Sequence, residues 1–482
     1  MKLPHKGWSR DQVFQQLEEF RAHDVPWRSG RTWAYVYDPG KEAEEVIKHA
    51  YMMYLTENGL DPTAFPSTLR LENELVAMAA AHLNGDADVV GNFTSGGTES
   101  IMLAVKAARD YARHRRPEIT QPELLLPTTA HAAFHKAAHY LGLTPVTVPA
   151  DPTTFKADPD AMRRAISPRT VLMVASAISY AHGVIDPIGA LGQVALDNHL
   201  LFHVDACMGG FLLPYFRRLG APVPDFDFSV PGVTSLSMDF HKYAFAAKGA
   251  STILYRSKEL RKYQMYACAG WTGYTVINPT VQSSKSLGPM AGAWAALHFI
   301  GDDGYLDIAR RVLDATRRIA RGIEAIPELR LLGQPEMNLV AFASDTVNVF
   351  HVIDEMKARG WYIQPQLSFD NSRENVHLSI NPANVQWVDA LLADLRDCVA
   401  TAKTMPAGTL AAQLTETFAN LDPASLTDEM IAGMLAMVGA GGNAPPARMA
   451  EINEVLNVLP VAVREKLLIG YLNELFRYRP AD

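Results

Sequence analysis

Short apolar runs alternate with amphipathic segments between about residue 66 and residue 300. Continuous apolar runs separated by helical patterns are typical of a mainly parallel sheet that helices cover on both faces. The helical pattern is clear over residues 188–197, for example. Ligands of such sheets bind beyond the carboxyl ends of the strands. The runs that predict buried strands are residues 124–126, 146–148, 170–174, 201–204 and 252–255.

The pattern changes on both sides of this region. The first part of the chain is rich in aromatic side chains and predicts loops with a short extended piece. After a Gly-Asp-Asp-Gly break at residues 301–304, the pattern predicts a long helix over residues 305–326 and then a smaller α/β unit. The predicted organisation is an N-terminal segment at residues 1–65, a large domain at 66–304, a small domain at 305–405 and a helical extension at 406–482.

Composition and charge exclude several classes of function. The chain has 482 residues, of which 48% are hydrophobic and 20% charged, and a net charge of -8, so we expect a globular protein without a nucleic-acid surface. Cys207, Cys268 and Cys398 form no CxxC pair, which favours a reducing compartment and disfavours a structural zinc site. The sequence shows no secretory signal and no apolar run of the roughly 20 residues that cross a bilayer, which predicts a cytoplasmic protein without a membrane span.

Asp205 and Lys242 carry the most specific chemical signal. Asp205 directly follows the apolar run at residues 201–204. Lys242 stands 37 positions after Asp205 (242 minus 205) and directly after His241. A lysine amine forms a Schiff base with the aldehyde of pyridoxal phosphate (PLP), and a carboxylate keeps the pyridine nitrogen of this cofactor protonated. An aspartate after a strand often only caps a turn, and an isolated lysine is usually a surface charge. The pair in this context predicts PLP as the cofactor.

A glycine-containing loop at residues 94–100 precedes a helical pattern. Glycines permit a tight turn, and the free backbone N–H groups at a helix start attract an anion. The hydroxyl groups of Ser95 and Thr98 could add hydrogen bonds to a phosphate. Many loops place two glycines before a helix, so this signal is weak alone. With Asp205 and Lys242 downstream, the loop is the predicted binding site of the cofactor phosphate.

His131 and Lys248 are further candidates with ordinary alternatives. The imidazole of His131 could stack on the pyridine ring, or it could be a satisfied histidine at a helix start. Lys248 could lower the pKa of the Lys242 amine or bind a substrate phosphate, or it could be a surface lysine. His135 and His139 follow His131 at helical spacing, but no cysteine or carboxylate set completes a metal site, so we expect no metal.

These segments, in this order and spacing, resemble the sphingosine-1-phosphate lyase family, within the group II PLP-dependent decarboxylase-like proteins. The similarity extends from about residue 29 to about residue 400. It implies a type I PLP-dependent fold, as in aspartate aminotransferase, with a large, mainly parallel sheet domain and a small C-terminal α/β domain. It also implies a homodimer with shared active sites, in which residues 1–65 pack on the partner subunit. The matching stretches are residues 94–100, 130–134, 182–187, 203–211, 241–243 and 248–249.

The resemblance also implies roles for individual residues. Lys242 would be the Schiff-base lysine, Asp205 the partner of the pyridine nitrogen and His131 the residue stacked on the ring. The implied cofactor-binding residues are Ser95, Gly96, Gly97, Thr98, His131, Asp205, His241 and Lys242. The implied catalytic residues are Lys242, Tyr180, His131 and Lys248. The implied residues of a substrate-phosphate cup are Tyr37, Asn58, Lys248, Ser284 and Lys285.

Two positions near that cup depart from the family pattern. Asp61 stands where the family has a histidine, and an anionic carboxylate repels a phosphate unless it is protonated or turned away. Lys285 stands where the family has an arginine, so it keeps the charge but loses the planar two-point hydrogen bonding. These departures leave the strength of phosphate binding and the exact substrate open.

The predicted activity is that of a carbon–carbon lyase acting on a phosphorylated long-chain amino alcohol such as sphingosine 1-phosphate. A base would remove the hydroxyl proton, and retro-aldol cleavage would release a long-chain aldehyde and phosphoethanolamine. Tyr180, His131, Lys248 and the substrate's own phosphate are the candidate bases. An amino-acid decarboxylase is the alternative, because the same cofactor stabilises either carbanion. A non-catalytic interaction module is disfavoured because both Asp205 and Lys242 are present.

Overall fold

The computed structural model describes residues 2–406, 425–427, 429–431, 433 and 448–478. The strands are β1 Val90–Thr94, β2 Glu123–Pro127, β3 Thr144–Val148, β4 Thr170–Ser176, β5 Leu201–Asp205, β6 Ser235–Asp239, β7 Ser251–Tyr255, β8 Tyr266–Cys268, β9 Val276–Asn278, β10 Arg330–Leu331, β11 Leu339–Ala343, β12 Gln364–Gln366 and β13 Asn375–Ser379. The α-helices are α1 Arg10–Phe20, α2 Lys41–Met53, α3 Ser67–His82, α4 Gly97–Arg115, α5 Ala133–Leu141, α6 Pro159–Arg164, α7 Ile188–Asp197, α8 Leu213–Arg218, α9 Lys258–Arg261, α10 Gly288–Glu324, α11 Val349–Ala358, α12 Val388–Ala402, α13 Ala450–Val458 and α14 Val461–Leu475. Short 3-10 helices lie at Arg21–His23, Trp27–Ser29 and Pro382–Trp387.

Strands β1 to β7 form the main sheet, in the order β1-β7-β6-β5-β4-β2-β3. Strands β6, β5, β4, β2 and β3 are parallel, and β7 runs antiparallel to both of its neighbours, β1 and β6. Every residue of β2, β4 and β7 is buried, which is why the sequence shows these strands as apolar runs. The mainly parallel sheet that the sequence predicts is therefore present.

The apolar pattern does not predict β1 or β6, although both belong to this sheet. Strand β6 reads Ser-Leu-Ser-Met-Asp, yet all five of its residues are buried. The hydroxyl groups of Ser235 and Ser237 lie 2.9 and 3.2 Å from the two ring nitrogens of His203 in β5. Buried polar groups are tolerated when they are hydrogen-bonded. The partner on the neighbouring strand thus permits a polar strand in the centre of the sheet.

Helix α10 crosses the predicted chain break. It runs from Gly288 to Glu324, and Gly301 departs from helical geometry with φ 67° and ψ 170°. A positive φ is favourable for glycine, so the helix bends at this point and continues. Two helical stretches therefore meet at a kink at Gly301, and the second one agrees with the break predicted at residues 301–304 and the helix predicted over residues 305–326. Beyond it, β10, β11, β13 and β12 form an antiparallel sheet beside α11 and α12.

The N-terminal segment is held partly by its own chain. Trp33 is fully buried. Its backbone N–H donates to the Tyr362 carbonyl at 2.8 Å, and its carbonyl accepts from Ser379 N–H at 2.6 Å. Helix α1, in contrast, has no buried residue. The packing of residues 1–65 on a partner subunit stays a prediction.

Within the described residues of the C-terminal segment, α13 and α14 are regular helices. Helix α13 contacts α11, and Asn348 Nδ2 donates to Glu454 Oε1 at 2.6 Å. The glycine- and proline-rich interruption at residues 439–446 lies outside the described residues. Within the described ranges, no helix combines the length and the apolar character needed to span a membrane. The predicted domain boundaries and the cytoplasmic location stay predictions.

Candidate active site

A cavity of about 360 Å³ lies where β4, β5 and β6 end. This is the edge at which ligands of a parallel sheet bind, and the volume suits a small organic molecule. All residues that the sequence assigns to the cofactor line this cavity, together with Tyr180. The lining residues are Ser95, Gly96, Gly97, Thr98, Glu99, Ile101, His131, Ser176, Ile178, Tyr180, Asp205, Cys207, Met208, Asp239, His241 and Lys242.

The glycine loop forms the start of α4. No side chain caps this helix, so its first N–H groups are available to an anion. Ser95 N–H donates to Glu99 Oε2 at 2.6 Å, which fixes the loop. A Cβ at Gly97 would lie 2.8 Å from Cys207 Sγ and 2.9 Å from Asp239 Oδ2, so only glycine fits between α4 and the strand ends. The uncapped helix start beside this close approach fits a phosphate group.

Asp205 is held by backbone and side-chain donors at the end of β5. Its Oδ1 accepts from Cys207 N–H at 3.1 Å and from the Ser237 hydroxyl at 3.4 Å. Behind Ser237 lies His203, which is fully buried. Burial lowers the pKa of His203 to about 4, so its ring is neutral at physiological pH. Asp205 therefore sits at the end of a neutral hydrogen-bonded chain, as a carboxylate partner for a protonated pyridine nitrogen requires.

Lys242 forms an ion pair that the sequence does not reveal. Its Nζ lies 2.9 Å from Asp239 Oδ2, and Asp239 is only 1% exposed. Burial alone would lower the pKa of Lys242, but the nearby Asp239 carboxylate outweighs this effect and raises it. His241 Nε2 lies 3.6 Å from the same carboxylate oxygen. Sequence reasoning assigned no role to Asp239; a carboxylate three positions before the lysine is the signal that could have found it.

Lys248 and Tyr37 lie against each other beside this ion pair. The Lys248 amine is 4.2 Å from the centre of the Tyr37 ring and donates to the His241 carbonyl at 3.2 Å. Although much of the Lys248 residue is exposed, its amine is partly desolvated by these contacts. Desolvation and repulsion by the charge of Lys242 lower the pKa of Lys248 to about 8. Burial raises the pKa of Tyr37 to about 12.

Hydrogen bonds show which atoms of Tyr180 and His131 donate and which accept. The Tyr180 hydroxyl donates to Gln364 Oε1 at 2.6 Å, and burial raises its pKa to about 12. Tyr180 is therefore a neutral phenol and a hydrogen-bond donor. His131 Nδ1 accepts from Ala133 N–H at 3.1 Å, so Nε2 carries the proton of the neutral ring.

None of the five residues of the predicted phosphate cup lines the cavity of its own chain, although Tyr37 and Lys248 lie beside the Lys242–Asp239 ion pair. Asn58 Oδ1 accepts from the N–H of Lys285 at 3.3 Å, and Gly59 N–H donates to the Lys285 carbonyl at 2.8 Å. Ser284 is exposed next to this pairing. The structure thus brings Asn58, Ser284 and Lys285 together, but away from Lys242.

Asp61 is exposed and forms its own turn. Its Oδ1 accepts from the Thr63 hydroxyl at 2.6 Å and from Thr63 N–H at 2.8 Å. These hydrogen bonds lower the pKa of Asp61, so it stays charged at neutral pH. Among the described residues, no cluster of three or more histidine, cysteine or acidic side chains could hold a metal ion.

Two family models match this sequence. The pyridoxal-dependent decarboxylase conserved domain matches residues 3–345, which is most of the chain. A C-terminal HTH domain of pyridoxal-dependent enzymes matches residues 412–474. The second match falls within the predicted helical extension at residues 406–482, whose role the sequence alone does not reveal.

Individual relatives agree with the first model. A sphingosine-1-phosphate lyase of Arabidopsis thaliana is 42% identical over 84% of this chain and 74% of its own length. A Pyrococcus furiosus relative that carries the name of an L-aspartate decarboxylase is 32% identical over 75% of this chain and 95% of its own length. The solved structure of a Burkholderia pseudomallei sphingosine-1-phosphate lyase matches with a TM-score of 0.80 and 34% identity, over 86% of this chain and 95% of that chain.

These similarities confirm the predicted type I fold and the predicted PLP cofactor. The higher identity is to the sphingosine-1-phosphate lyases, over a longer part of the chain than the match to the decarboxylase. The chain therefore belongs to the pyridoxal-dependent decarboxylase family and, within it, to the group of the sphingosine-1-phosphate lyases.

Proposed function

We propose that this protein is a PLP-dependent aldehyde-lyase that cleaves sphingosine 1-phosphate, or a related phosphorylated long-chain amino alcohol, to a long-chain aldehyde and phosphoethanolamine. The observation that carries the proposal is the meeting of Lys242, Asp205 and the start of α4 in one cavity. The 42% identity to a sphingosine-1-phosphate lyase supports this substrate class over an amino acid.

PLP, which Lys242 would hold in the absence of substrate, would supply an electron-accepting ring that stabilises the electron pair left on the amine-bearing carbon of the substrate when a bond to that carbon breaks. Asp205 would hold a proton at the pyridine nitrogen, and the donors Cys207 N–H and Ser237 Oγ keep its carboxylate in place. The uncapped start of α4 would bind the cofactor phosphate. His131, in the lining of the same cavity, would cover the pyridine ring.

Cleavage also needs a base for the hydroxyl proton of the substrate. With a pKa of about 8, roughly one Lys248 amine in ten is neutral at pH 7. Tyr180, with a pKa of about 12, keeps its proton over the same range. We therefore assign the base to Lys248: the proton moves from the hydroxyl oxygen to Nζ, the C=O bond forms and the carbon–carbon bond breaks. Tyr180 orients the substrate by donating a hydrogen bond.

The proposal includes a homodimer in which each subunit completes the substrate site of the other. Asn58, Ser284 and Lys285 lie outside the lining of their own cavity, which supports their delivery from the partner subunit. Light scattering should give about 106 kDa, twice the chain mass of 53.0 kDa. A fully active monomer would contradict this arrangement.

We also propose a cytoplasmic location. All three cysteines, Cys207, Cys268 and Cys398, are unpaired, as is usual in a reducing compartment. Cell fractionation with an antibody to the protein tests this directly.

Product analysis tests the proposed reaction against its rival. The purified, PLP-loaded protein is given phosphorylated sphingoid bases and, separately, a panel of amino acids. We expect equal amounts of long-chain aldehyde and phosphoethanolamine from the former, and no carbon dioxide from the latter. Carbon dioxide from an amino acid without any aldehyde would instead identify an amino-acid decarboxylase on the same fold.

A further inference from the structure

We propose that Asp239 is a positioning residue that holds the Lys242 nitrogen as a charged ammonium whenever this nitrogen is not bonded to the cofactor. Asp239 thereby makes Lys242 the proton donor of the site and leaves proton removal to another group. The inference rests on the proposed function only in taking Lys242 as the cofactor lysine.

At the end of β6, the Lys242 amine is the cation that lies nearest to the Asp239 carboxylate. Its Oδ2 lies 2.9 Å from Lys242 Nζ and 3.6 Å from His241 Nε2. Its Oδ1 is buried and makes no hydrogen bond within the described part of the chain. On the other side, α4 approaches so closely that a Cβ at Gly97 would lie 2.9 Å from Oδ2. A buried carboxylate that loses its cation is strongly destabilised, so the free amine of Lys242 returns to Asp239 as an ammonium.

Several parts of the chain contribute titratable groups around Lys242. Among these groups, Asp239 most strongly favours the charged form of Lys242. The titratable groups that interact with the pair are Tyr37 of the N-terminal segment, Tyr180 after β4, Cys207 after β5, and His241 and Lys248 after β6. Lys248 opposes a second positive charge nearby, and its own pKa is lowered to about 8. Burial likewise disfavours the charge on Lys242, and Asp239 overcomes both effects.

Two lysines in one site thus hold their protons differently. Lys242 keeps its proton against Asp239, while Lys248 loses its proton near pH 8. Groups whose pKa values are pushed apart divide the acid and base roles of a site. The Lys242 proton is then the one delivered to the amine-bearing carbon after cleavage: the carbon's electron pair forms the new C–H bond, Lys242 becomes a neutral amine and Asp239 keeps its charge.

The test measures attachment of PLP to the cofactor-free, full-length protein, and not turnover. Attachment joins the amine nitrogen to the aldehyde carbon with loss of one water, and only the uncharged amine reacts. The rate is followed by absorbance from pH 7 to pH 10, and borohydride reduction with peptide mapping assigns it to Lys242. In the natural chain we expect the rate to rise about tenfold per pH unit without a plateau, because the amine stays mostly charged.

Asp239→Asn keeps the shape of the side chain and removes its charge. We expect its rate to level off at least about one pH unit lower, which makes attachment at pH 7 at least about tenfold faster. Asp239→Glu should resemble the natural chain. Asp110→Asn removes an ion-paired carboxylate outside the cavity and should leave the pH profile unchanged.

Two results would overturn the inference. One is a plateau below pH 9 in the natural chain, which is decisive even if Asp239→Asn does not fold. The other is an identical pH profile for the natural chain and a folded Asp239→Asn variant. The attachment profile involves no substrate, so a failure of the proposed lyase activity would not change it and the two failures remain distinguishable.

Discussion

Two regions of the proposed site differ in how the fold holds them. We call Gly97, Asp205, Asp239 and Lys242 the cofactor floor, because they lie at strand ends, at the start of α4 or in the turn directly after β6. We call Asn58, Asp61, Ser284 and Lys285 the substrate rim, because they lie in loops and turns. Asp205 and Asp239 are 7% and 1% exposed, whereas Asp61 and Ser284 are exposed.

This difference suggests that cofactor binding and substrate selection depend on different parts of the structure. Strand register fixes the floor, since β4, β5 and β6 pair Ser176 with Asp205 and Asp205 with Ser237. Loops carry the rim, and loops vary more readily than the elements they connect. Substitutions in the floor should therefore strongly reduce cofactor binding and turnover, whereas substitutions in the rim should change the KM of the substrate only slightly.

Lys242→Ala should have the largest effect, because it removes the amine that bonds the cofactor. We expect turnover to fall by at least about a thousandfold. We also expect borohydride reduction to leave no PLP covalently attached to the protein, which is the label that the experiment detects. Mass spectrometry after borohydride reduction measures the label. Lys262→Ala, which removes an exposed lysine paired with Glu259, is the control and should keep both label and turnover. Label remaining in Lys242→Ala would place the cofactor on another amine.

Lys248→Arg should distinguish a role of Lys248 as the base from a role as a fixed positive charge. Arginine keeps the positive charge but does not lose its proton, so kcat/KM at pH 8 should fall about a hundredfold. For the natural chain, the neutral amine increases as pH rises through about 8, so kcat/KM should rise with pH and level off above that value. If Lys248→Arg retained full activity, Lys248 would not be the base.

Gly97→Ala should damage the floor through packing. The new Cβ would lie 2.8 Å from Cys207 Sγ and 2.9 Å from Asp239 Oδ2, so we expect a loss of about 1–3 kcal/mol in the free energy of unfolding and weaker PLP binding. Thermal melts and PLP titrations measure the two effects. Gly189→Ala is the matched control, because nothing lies within 4 Å of its Cβ. Equal melts for both variants would show that α4 moves easily.

Substitutions in the rim should have the smallest effects. Lys285→Ala should raise the KM of a phosphorylated substrate by less than about tenfold and leave kcat nearly unchanged, because a single half-buried charge on a loop contributes little. Asp61→Asn should change KM by less than about twofold, since Asp61 bonds to Thr63 in its own turn. Steady-state kinetics with phosphorylated and unphosphorylated substrates measure both. An unchanged preference for phosphate in Lys285→Ala would exclude Lys285 from the cup.

The floor was largely predictable from the sequence, and the reason is physical. Asp205 follows an apolar strand, and the glycine loop precedes a helix, so the topology of a parallel sheet brings them to one edge. Asp239 escaped because β6 is polar in sequence, and only the buried His203 of the neighbouring strand explains why it is a core strand. Local patterns carry no information about a partner that lies 32 positions away (235 minus 203).

The rim was less predictable because its placement depends on the fold of loops. The sequence leaves open whether Asp61 is protonated or turned away, and the structure shows its carboxylate accepting a hydrogen bond from Thr63, which lowers the pKa of Asp61. Asn58 and Lys285 pair with each other, yet neither lines the cavity of its own chain. In the homodimer that we propose, the partner subunit completes the rim, so the sequence pattern of one chain does not place these residues.

The central claim is that the floor around Lys242 cleaves a carbon–carbon bond in a phosphorylated amino alcohol. Mass spectrometry of the products formed from sphinganine 1-phosphate, with the natural chain and with Lys242→Ala, tests it most directly. We expect the natural chain with PLP to release long-chain aldehyde and phosphoethanolamine in equal amounts, and Lys242→Ala to release neither. Intact substrate after incubation with the PLP-loaded natural chain, or equal product from both proteins, would contradict the account.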